Sequence, residues 1–262
     1  MIGSVAKALE ILNLFSAFEP RLTLTNISKR LNMPKSTVHH LLSTLLHYGY
    51  VEKLEDDSYG IGKAIIALTQ SAVVNVELRD RAAPLLREIA DITQESAYLT
   101  VRDGARVLYI YAIESPQRLL ARTAVGDYAP LYCTSVGKAI LAFLPEEEVA
   151  TMYPEQSQLE RFTEYTLVDL PALQANLTAS RQRGYSMDNQ EHELNTFCVG
   201  APIFNAQKVP IGACSISGID PDIVGSRLKT LSTHLMEVAQ EISRRMGYVP
   251  DRMSMVRHGS VK

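Results

Sequence analysis

The chain has 262 residues and a mass of 29.0 kDa, long enough for one large domain or two ordinary ones. Its composition, 46% apolar and 21% charged, is globular and excludes a mostly disordered chain; no apolar run reaches the roughly 18 residues that a membrane span needs. The net charge is −3, so a polyanionic partner would have to be met by positive charge gathered locally.

The opening Met1-Ile2-Gly3-Ser4-Val5-Ala6-Lys7 lacks the charged-then-apolar pattern of a secretory leader, so the expected location is the cytoplasm, with no membrane partner. Cys133, Cys198 and Cys214 form an odd, sparse set without CxxC spacing. Neither a disulfide framework nor a structural zinc site is expected, and no cofactor.

The first predicted helix, Ser4 to Phe18, carries Val5, Leu9, Leu12 and Phe15 at helical spacing. Thr23 can cap a second, Leu24 to Leu31. Asn32-Met33-Pro34 reads as a turn, because proline disfavours helix for the residue before it. A third helix, Lys35 to Tyr48, has the apolar face Val38, Leu41, Leu42 and Leu45, with Gly49 suited to its C′ position. Tyr50 to Leu54 and Tyr59 to Ile61 flank Asp56-Asp57-Ser58 as a hairpin. Two short helices joined by a tight turn, then a hairpin, is the layout of a winged helix-turn-helix, whose second helix presents its N-terminal residues to base edges in the DNA major groove.

Charge patterning agrees. From Pro20 to Val51 there is no Asp or Glu, whereas Arg21, Lys29, Arg30 and Lys35 are present. Over residues 1–62 six basic and six acidic side chains cancel, so a positive surface can form only in the middle of the segment. The contacts expected for double-stranded operator DNA are Lys35, Ser36, Thr37, His39 and His40, with Arg21, Thr25 and, on the wing, Lys53. Asp56 and Asp57 argue against deep entry of the wing tip into DNA.

Gly62 to Leu78 reads as a connecting helix that is apolar on more than one side: Ile65, Leu68 and Ala72 on one, Ile66, Val73 and Val74 elsewhere. Such a helix needs more than one packing partner, and the same helix of a second subunit is one. Beyond it, Pro84 to Asp91 reads as helix, Tyr98 to Val101 and Val107 to Ile113 as strands around Asp103-Gly104, and Ser135 to Phe143, Pro145 to Met152 and Asp169 to Gly184 as helices. Phe197 to Phe204 and Val209 to Ser217 read as apolar strands, and Ile223 to Met246 as a long helix. Hairpin-joined strands covered by helices make an α+β sheet domain rather than a dinucleotide-binding one.

In that domain Thr134 and Ser135 stand where a loop enters a helix, a place of free N–H groups suited to a carboxylate; ordinary N-capping would also account for them. Ser215 and Ser217 alternate along a strand and share a face, with Cys214 and Ile216 on the other. On the preceding strand Cys198 and Gly200 share a small-residue face, opposite Phe197, Val199, Ala201 and Ile203. Serines on a covered face need partners, which a polar ligand can supply.

Five segments in chain order resemble the IclR (isocitrate lyase regulator) family of bacterial transcription factors. They are Val5–Leu12; Pro34-Lys35-Ser36-Thr37-Val38-His39-His40-Leu41-Leu42; Pro130-Leu131-Tyr132-Cys133-Thr134-Ser135-Val136-Gly137-Lys138-Ala139; Arg183–Asp188 running on through Glu191 to Cys198; and Ser215–Gly218. The resemblance implies a winged helix-turn-helix (1–62), a linker and dimerisation helix (63–78) and a GAF-like antiparallel-sheet domain that binds an effector (79–250), with a disordered tail (251–262). It implies a non-enzymatic regulator, a repressor more than an activator, that binds its operator as a dimer or pair of dimers and answers to a small metabolite. Positions matching Ser135, Val136, Asp188, Cys198, Ser215 and Ser217 line the family's effector pocket. His40 stands where the family usually has Arg, so guanine readout by a guanidinium fork is lost there. Asn195 and Thr196, pointing inward, would make the pocket more polar than usual and favour a small hydroxy- or keto-acid. Two rival readings are an enzyme with Cys198 as nucleophile and His192 nearby, and a metal sensor built on Cys133, Cys198, Cys214 and His192.

Overall fold

The computed structural model describes residues 2–16, 19–71, 76–115, 125–154 and 158–250. The chain divides into two compact units, Met1–Val74 and Asn75–Lys262. The expected tail, 251–262, lies outside the described residues.

In the first unit α1 (Gly3–Leu12), α2 (Leu24–Arg30) and α3 (Lys35–His47) precede the hairpin β1 (Val51–Lys53) and β2 (Tyr59–Ile61). Ile11, Ile27, Val38, Leu42 and Leu45 form one buried core with Leu22, Val51 and Tyr59. Thr23 caps α2 by accepting from the Asn26 N–H at 3.2 Å. Gly49 follows α3 with φ +73°, a conformation only glycine adopts without strain, and its N–H closes on Leu46 O. A bridge between Leu22 and Tyr59 adds a third strand segment to the wing. α1 is shorter than its apolar spacing predicts: Asn13 caps it, and reciprocal backbone bonds between Ser16 and Glu19 form a turn instead. Ala17 and Phe18 lie outside the described residues.

The single helix expected over Gly62–Leu78 is described on both sides of a stretch that lies outside the described residues. α4 covers Ala64–Ser71, residues 72–75 lie outside the described residues, and α5 runs from Val76 to Thr93. Leu78, expected at the end of a linker, is buried in the core of the second unit. α5 also runs through Pro84, taken as a helix start; the turns before it are held by burying Leu78 and Ala82 against the sheet.

The second unit is built on a six-stranded sheet, β3 (Ser96–Asp103), β4 (Arg106–Ile113), β5 (Tyr128–Pro130), β6 (Ser186–Asn189), β7 (Phe197–Phe204) and β8 (Pro210–Gly218), in the order β5-β4-β3-β8-β7-β6. Every pairing is antiparallel, as expected for this fold class. One face, carrying Leu99, Val199, Ala201, Ile203, Cys214 and Ile216, packs on α5 and a C-terminal helix. The other packs on α6 (Ser135–Leu141), which with α7 (Glu146–Met152) and α8 (Leu170–Arg183) lies between β5 and β6 in sequence. The C-terminal helix α9 is Leu228–Arg245 and starts later than its apolar spacing implies. A 3-10 turn capped by Asp220 comes first, and Arg227 bridges Glu95 and Asp220.

Candidate functional site

Two surfaces carry the polar groups singled out in the sequence, one in each unit. In the first, α3 buries Val38, Leu42 and Leu45, which leaves Lys35, Ser36, His39 and His40 exposed and Thr37 half-exposed along the opposite side. His39 and His40 meet edge to face, ring centroids 5.9 Å apart. Thr25 on α2, Arg21 and Lys53 are exposed as well. Their charges are not equally available. Arg30 makes a bidentate pair with Glu19, both contacts 2.6 Å, Lys53 binds Asp57 at 2.6 Å, and Arg21 lies 3.9 Å from Asp56. Lys29 and Lys35 are the cations between Pro20 and Val51 that have no carboxylate partner among the described residues.

In the second unit a pocket opens on the sheet face that α6 covers. Its walls include Tyr98, Tyr109, Ser135, Asp188, Cys198, Ser215 and Ser217, with Thr134, His192, Glu193 and Thr196 completing the lining around some 390 Å³ including the open mouth. Strand register sets this up. Asp188, Cys198, Ser217 and Ser96 lie side by side across β6, β7, β8 and β3, and the next row on that face is Ser186, Gly200, Ser215 and Tyr98. The small-residue face expected on β7 is therefore real, yet the room beside Gly200 is filled by the start of α6. A Cβ at Gly200 would fall 2.6 Å from the Ser135 carbonyl and 2.9 Å from Val136 N. Ser186 Oγ donates to that same carbonyl, tying β6 to the helix start.

Six of the seven expected effector residues line the pocket: Thr134, Ser135, Asp188, Cys198, Ser215 and Ser217. Val136 does not. It points the other way along α6 and is buried in the core that α6 shares with α8. The Thr134 hydroxyl is already engaged, accepting from Gly137 N at 3.1 Å and donating to Pro130 O at 2.8 Å, which is the capping role. Cys198 Sγ and Ser217 Oγ are 3.0 Å apart. Thr196 turns inward and is buried, whereas Asn195 is exposed with φ +56°. Tyr98, Tyr109 and Glu193 escaped sequence reasoning, and His192 was singled out only in the rival readings, as a neighbour of Cys198. Tyr98 and Tyr109 meet edge to face at 5.6 Å, and Tyr98 Oη donates to Glu114 at 2.9 Å.

Behind the pocket lies a buried ion pair. Lys138 on α6 is fully buried and its Nζ binds Glu191, in the loop after β6. Asp188 Oδ1 accepts from Glu191 N at 2.7 Å. Thr163 and Thr166 clamp the same loop by donating to Gln190 O at 2.6 Å and Glu191 O at 2.7 Å. Burial raises the Asp188 carboxyl to about 7, against the pull of Lys138 and of the Glu191 and His192 N–H groups, with Glu191 adding repulsion. Burial also raises Glu191 and lowers His192.

The metal-sensor reading does not find its geometry, whereas Cys198 and His192 of the enzyme reading both line the pocket. Cys198 faces the pocket while Cys214 faces the α5–α9 side, so the thiols do not converge, and no group of three metal-ligating side chains occurs among the described residues. Desolvation pushes the Cys133 and Cys214 thiols up, which leaves neither a ready thiolate.

The IclR helix-turn-helix domain model matches residues 4–55, and the bacterial transcriptional regulator IclR C-terminal model matches residues 70–244. The HTH-type transcriptional regulator KipR of Bacillus subtilis is 32% identical over 94% of this chain and 97% of its own length. The transcriptional repressor IclR of Escherichia coli is 27% identical over 94% of this chain and 90% of its own. The crystal structure of Thermotoga maritima IclR superposes with a TM-score of 0.80 at 31% identity, covering 95% of this chain and 100% of that one. With a helix-turn-helix in one unit, the sheet domain in the other and these matches across both, the chain belongs to the IclR family of DNA-binding transcriptional regulators.

Proposed function

We propose that the chain is a repressor whose operator binding is altered by a small carboxylate metabolite, and that it controls a catabolic operon beside its own gene. The observation that carries the ligand half is the pocket: the hydroxyl-bearing residues Ser135, Ser215, Ser217 and Tyr109 all line a space walled by the sheet and the start of α6. Hydroxyl donors suit a carboxylate, and Asp188 and Glu193 suit a hydroxyl at the ligand's other end, so a hydroxy-acid fits best. Lys35, Ser36, Thr37, His39 and His40 on α3 are the proposed base and phosphate contacts, with Thr25 and Arg21 beside them and Lys53 on the wing. The name of the E. coli relative supports the sign of regulation. Two copies, or a pair of such dimers, would read two half-sites; exposed Ile66 and Leu68 on α4 support a partner there. The ligand acts through the spacing of the two recognition helices, and the apolar stretch expected as the connecting helix, Gly62 to Leu78, is the nominated transmitting element. A coupling of about 1–3 kcal/mol, or 5–150-fold in operator affinity, is typical of such switches.

Fluorescence anisotropy of the full chain with fragments of the neighbouring promoter, titrated with a panel of hydroxy- and keto-acids, tests the reading. One fragment should bind, and one acid should change its affinity. The double variant Ser215→Ala/Ser217→Ala should bind that fragment and ignore the acid. Failure to bind any fragment at low salt ends the operator half; a double variant that still responds at parental concentrations moves the ligand elsewhere.

A further inference from the structure

Asp188, His192, Glu193 and Thr196, all in the pocket lining, belong to one short stretch from the end of β6 to the start of β7. Residues 190–196 lie outside the strands, so contacts other than the sheet ladder must set where that wall stands. Within the loop Gln190 N donates to Thr196 O at 2.9 Å and Asn195 N to Gln190 Oε1 at 3.0 Å. Thr163 and Thr166 hold it from outside, and the Phe162 ring rests on His192 with centroids 5.0 Å apart. The remaining clasp is the Lys138–Glu191 ion pair, which joins the loop to α6. α6 is a fixed post for that contact. Its start closes on Gly200, a Cβ at Gly137 would fall 2.3 Å from Leu131 O, and Arg181 donates to Leu144 O, just past its end, at 2.9 Å.

Stability alone does not account for this pair. Lys138 is the one Lys, Arg, Asp or Glu with no exposed surface among the described residues, and Glu191 Oε2 is buried without a hydrogen-bond partner among them. Removing both charges from water costs more than burying an apolar pair of the same volume, and the orphaned oxygen adds to that cost. What the charged pair has and an apolar pair lacks is direction: the ammonium meets a carboxylate oxygen at one place, whereas methylene groups slide past one another. Resting on the carboxylate reading above, we propose that Lys138 is a positioning residue of the ligand pocket: from α6, and outside the lining, it fixes Glu191 and through it the wall made by Asp188, His192 and Glu193. The path from the pair to the wall is short. Glu191 N donates to Asp188 Oδ1 at 2.7 Å, and His192 follows Glu191 directly. Ser135 and Lys138 stand one turn apart on α6, so the helix start and the loop wall are gauged from a single rigid element.

Replacing both partners separates position from stability. The double variant Lys138→Met/Glu191→Leu should unfold in urea at or above the parent's midpoint, because no lone charge is left buried. Lys138→Met alone, in which a proton can neutralise the remaining carboxyl, is the second variant should the double one not fold. Glu191→Gln is the conservative rescue: its amide oxygen can still accept from Lys138, and its NH2 falls where Oε2 has no partner to lose. Hydrogen–deuterium exchange of the ligand-free full chain, read by mass spectrometry, reports the loop directly. In the parent the Gln190 and Glu191 amides should be protected like those of β7. In the double variant peptides over 188–196 should exchange about tenfold faster while β7, β8 and α9 keep the parent's rates, and Glu191→Gln should stay close to the parent. Calorimetry with glycolate, lactate and gluconate reports the pocket: an acid bound by the parent should bind the double variant about tenfold more weakly, as loss of a support behind a ligand site does, and Glu191→Gln nearly as the parent does. Free exchange of the loop in the parent, unchanged exchange over 188–196 in the folded variant, or faster exchange throughout the domain each overturns the inference. Equal affinity of parent and double variant for an acid overturns it too and leaves the carboxylate reading standing. If the parent binds none of the three acids, the carboxylate reading falls and the exchange measurement alone decides whether Lys138 positions the wall.

Discussion

Two side-chain positions concentrate the chemistry of the sheet domain. At Gly200 the neighbouring Ser135 backbone leaves no room for a Cβ, the nearest atoms standing 2.6 Å away. Gly200→Ala should therefore destabilise by about 1–3 kcal/mol, as overpacking does, in urea unfolding of the full chain; Gly3→Ala, with nothing within 4 Å, serves as its control. At Asp188 the folded chain holds a proton that the unfolded chain releases at ordinary carboxylate pH. Asp188 thus contributes stability that is lost as pH rises from about 4 to about 7, with no further loss above that. Asp188→Asn, neutral throughout, should match the parent near pH 4 and exceed it by about 2–4 kcal/mol at pH 8, read by denaturation at each pH. Ser215, Ser217 and Cys198 were legible in the sequence because strand alternation alone sorts one face from the other. Tyr98, Tyr109 and Glu193 were not. Tyr98 reaches the pocket through its pairing with Ser215, and Tyr109 through a register shift after Leu99, relations that no local pattern encodes.

Among the elements, α3 is the clearest case of pattern dictating structure: Val38, Leu42 and Leu45 go inward, and the exposed remainder is the proposed recognition face. Lys35→Ala should weaken binding to every fragment alike and lower the slope of log affinity against log salt by about one, the mark of one lost phosphate contact. His40→Ala should alter which fragments are preferred; anisotropy across a set of single-base operator variants separates the two effects. β5 and β6 went unread because three residues and four, Ser186-Met187-Asp188-Asn189 among them, are too few and too polar for alternation to register. Leu78 was read with the connecting helix, and the rest of α5 as a helix starting at Pro84, because an apolar stretch on several sides says that partners exist without saying which unit supplies them. Leu78 is buried in the core of the second unit, whereas Ile66 and Leu68 are exposed on α4.

At the scale of the molecule, two units divide the work of reading DNA and of holding a ligand, and composition alone could not assign either. The net charge of −3 conceals a basic window, and that window is itself thinner than its residue list. Arg30 is clasped by Glu19 and Lys53 by Asp57 within the same unit. Cations engaged in this way displace few counterions from a duplex, so the free energy of landing on arbitrary sequence is small. A protein with few unattached charges lingers little on the bulk of a chromosome, samples it in short visits, and keeps a larger fraction of its copies dissolved and ready for a vacant operator. Occupancy of that operator then follows the number of copies and the fit of α3 more than competition from the rest of the genome.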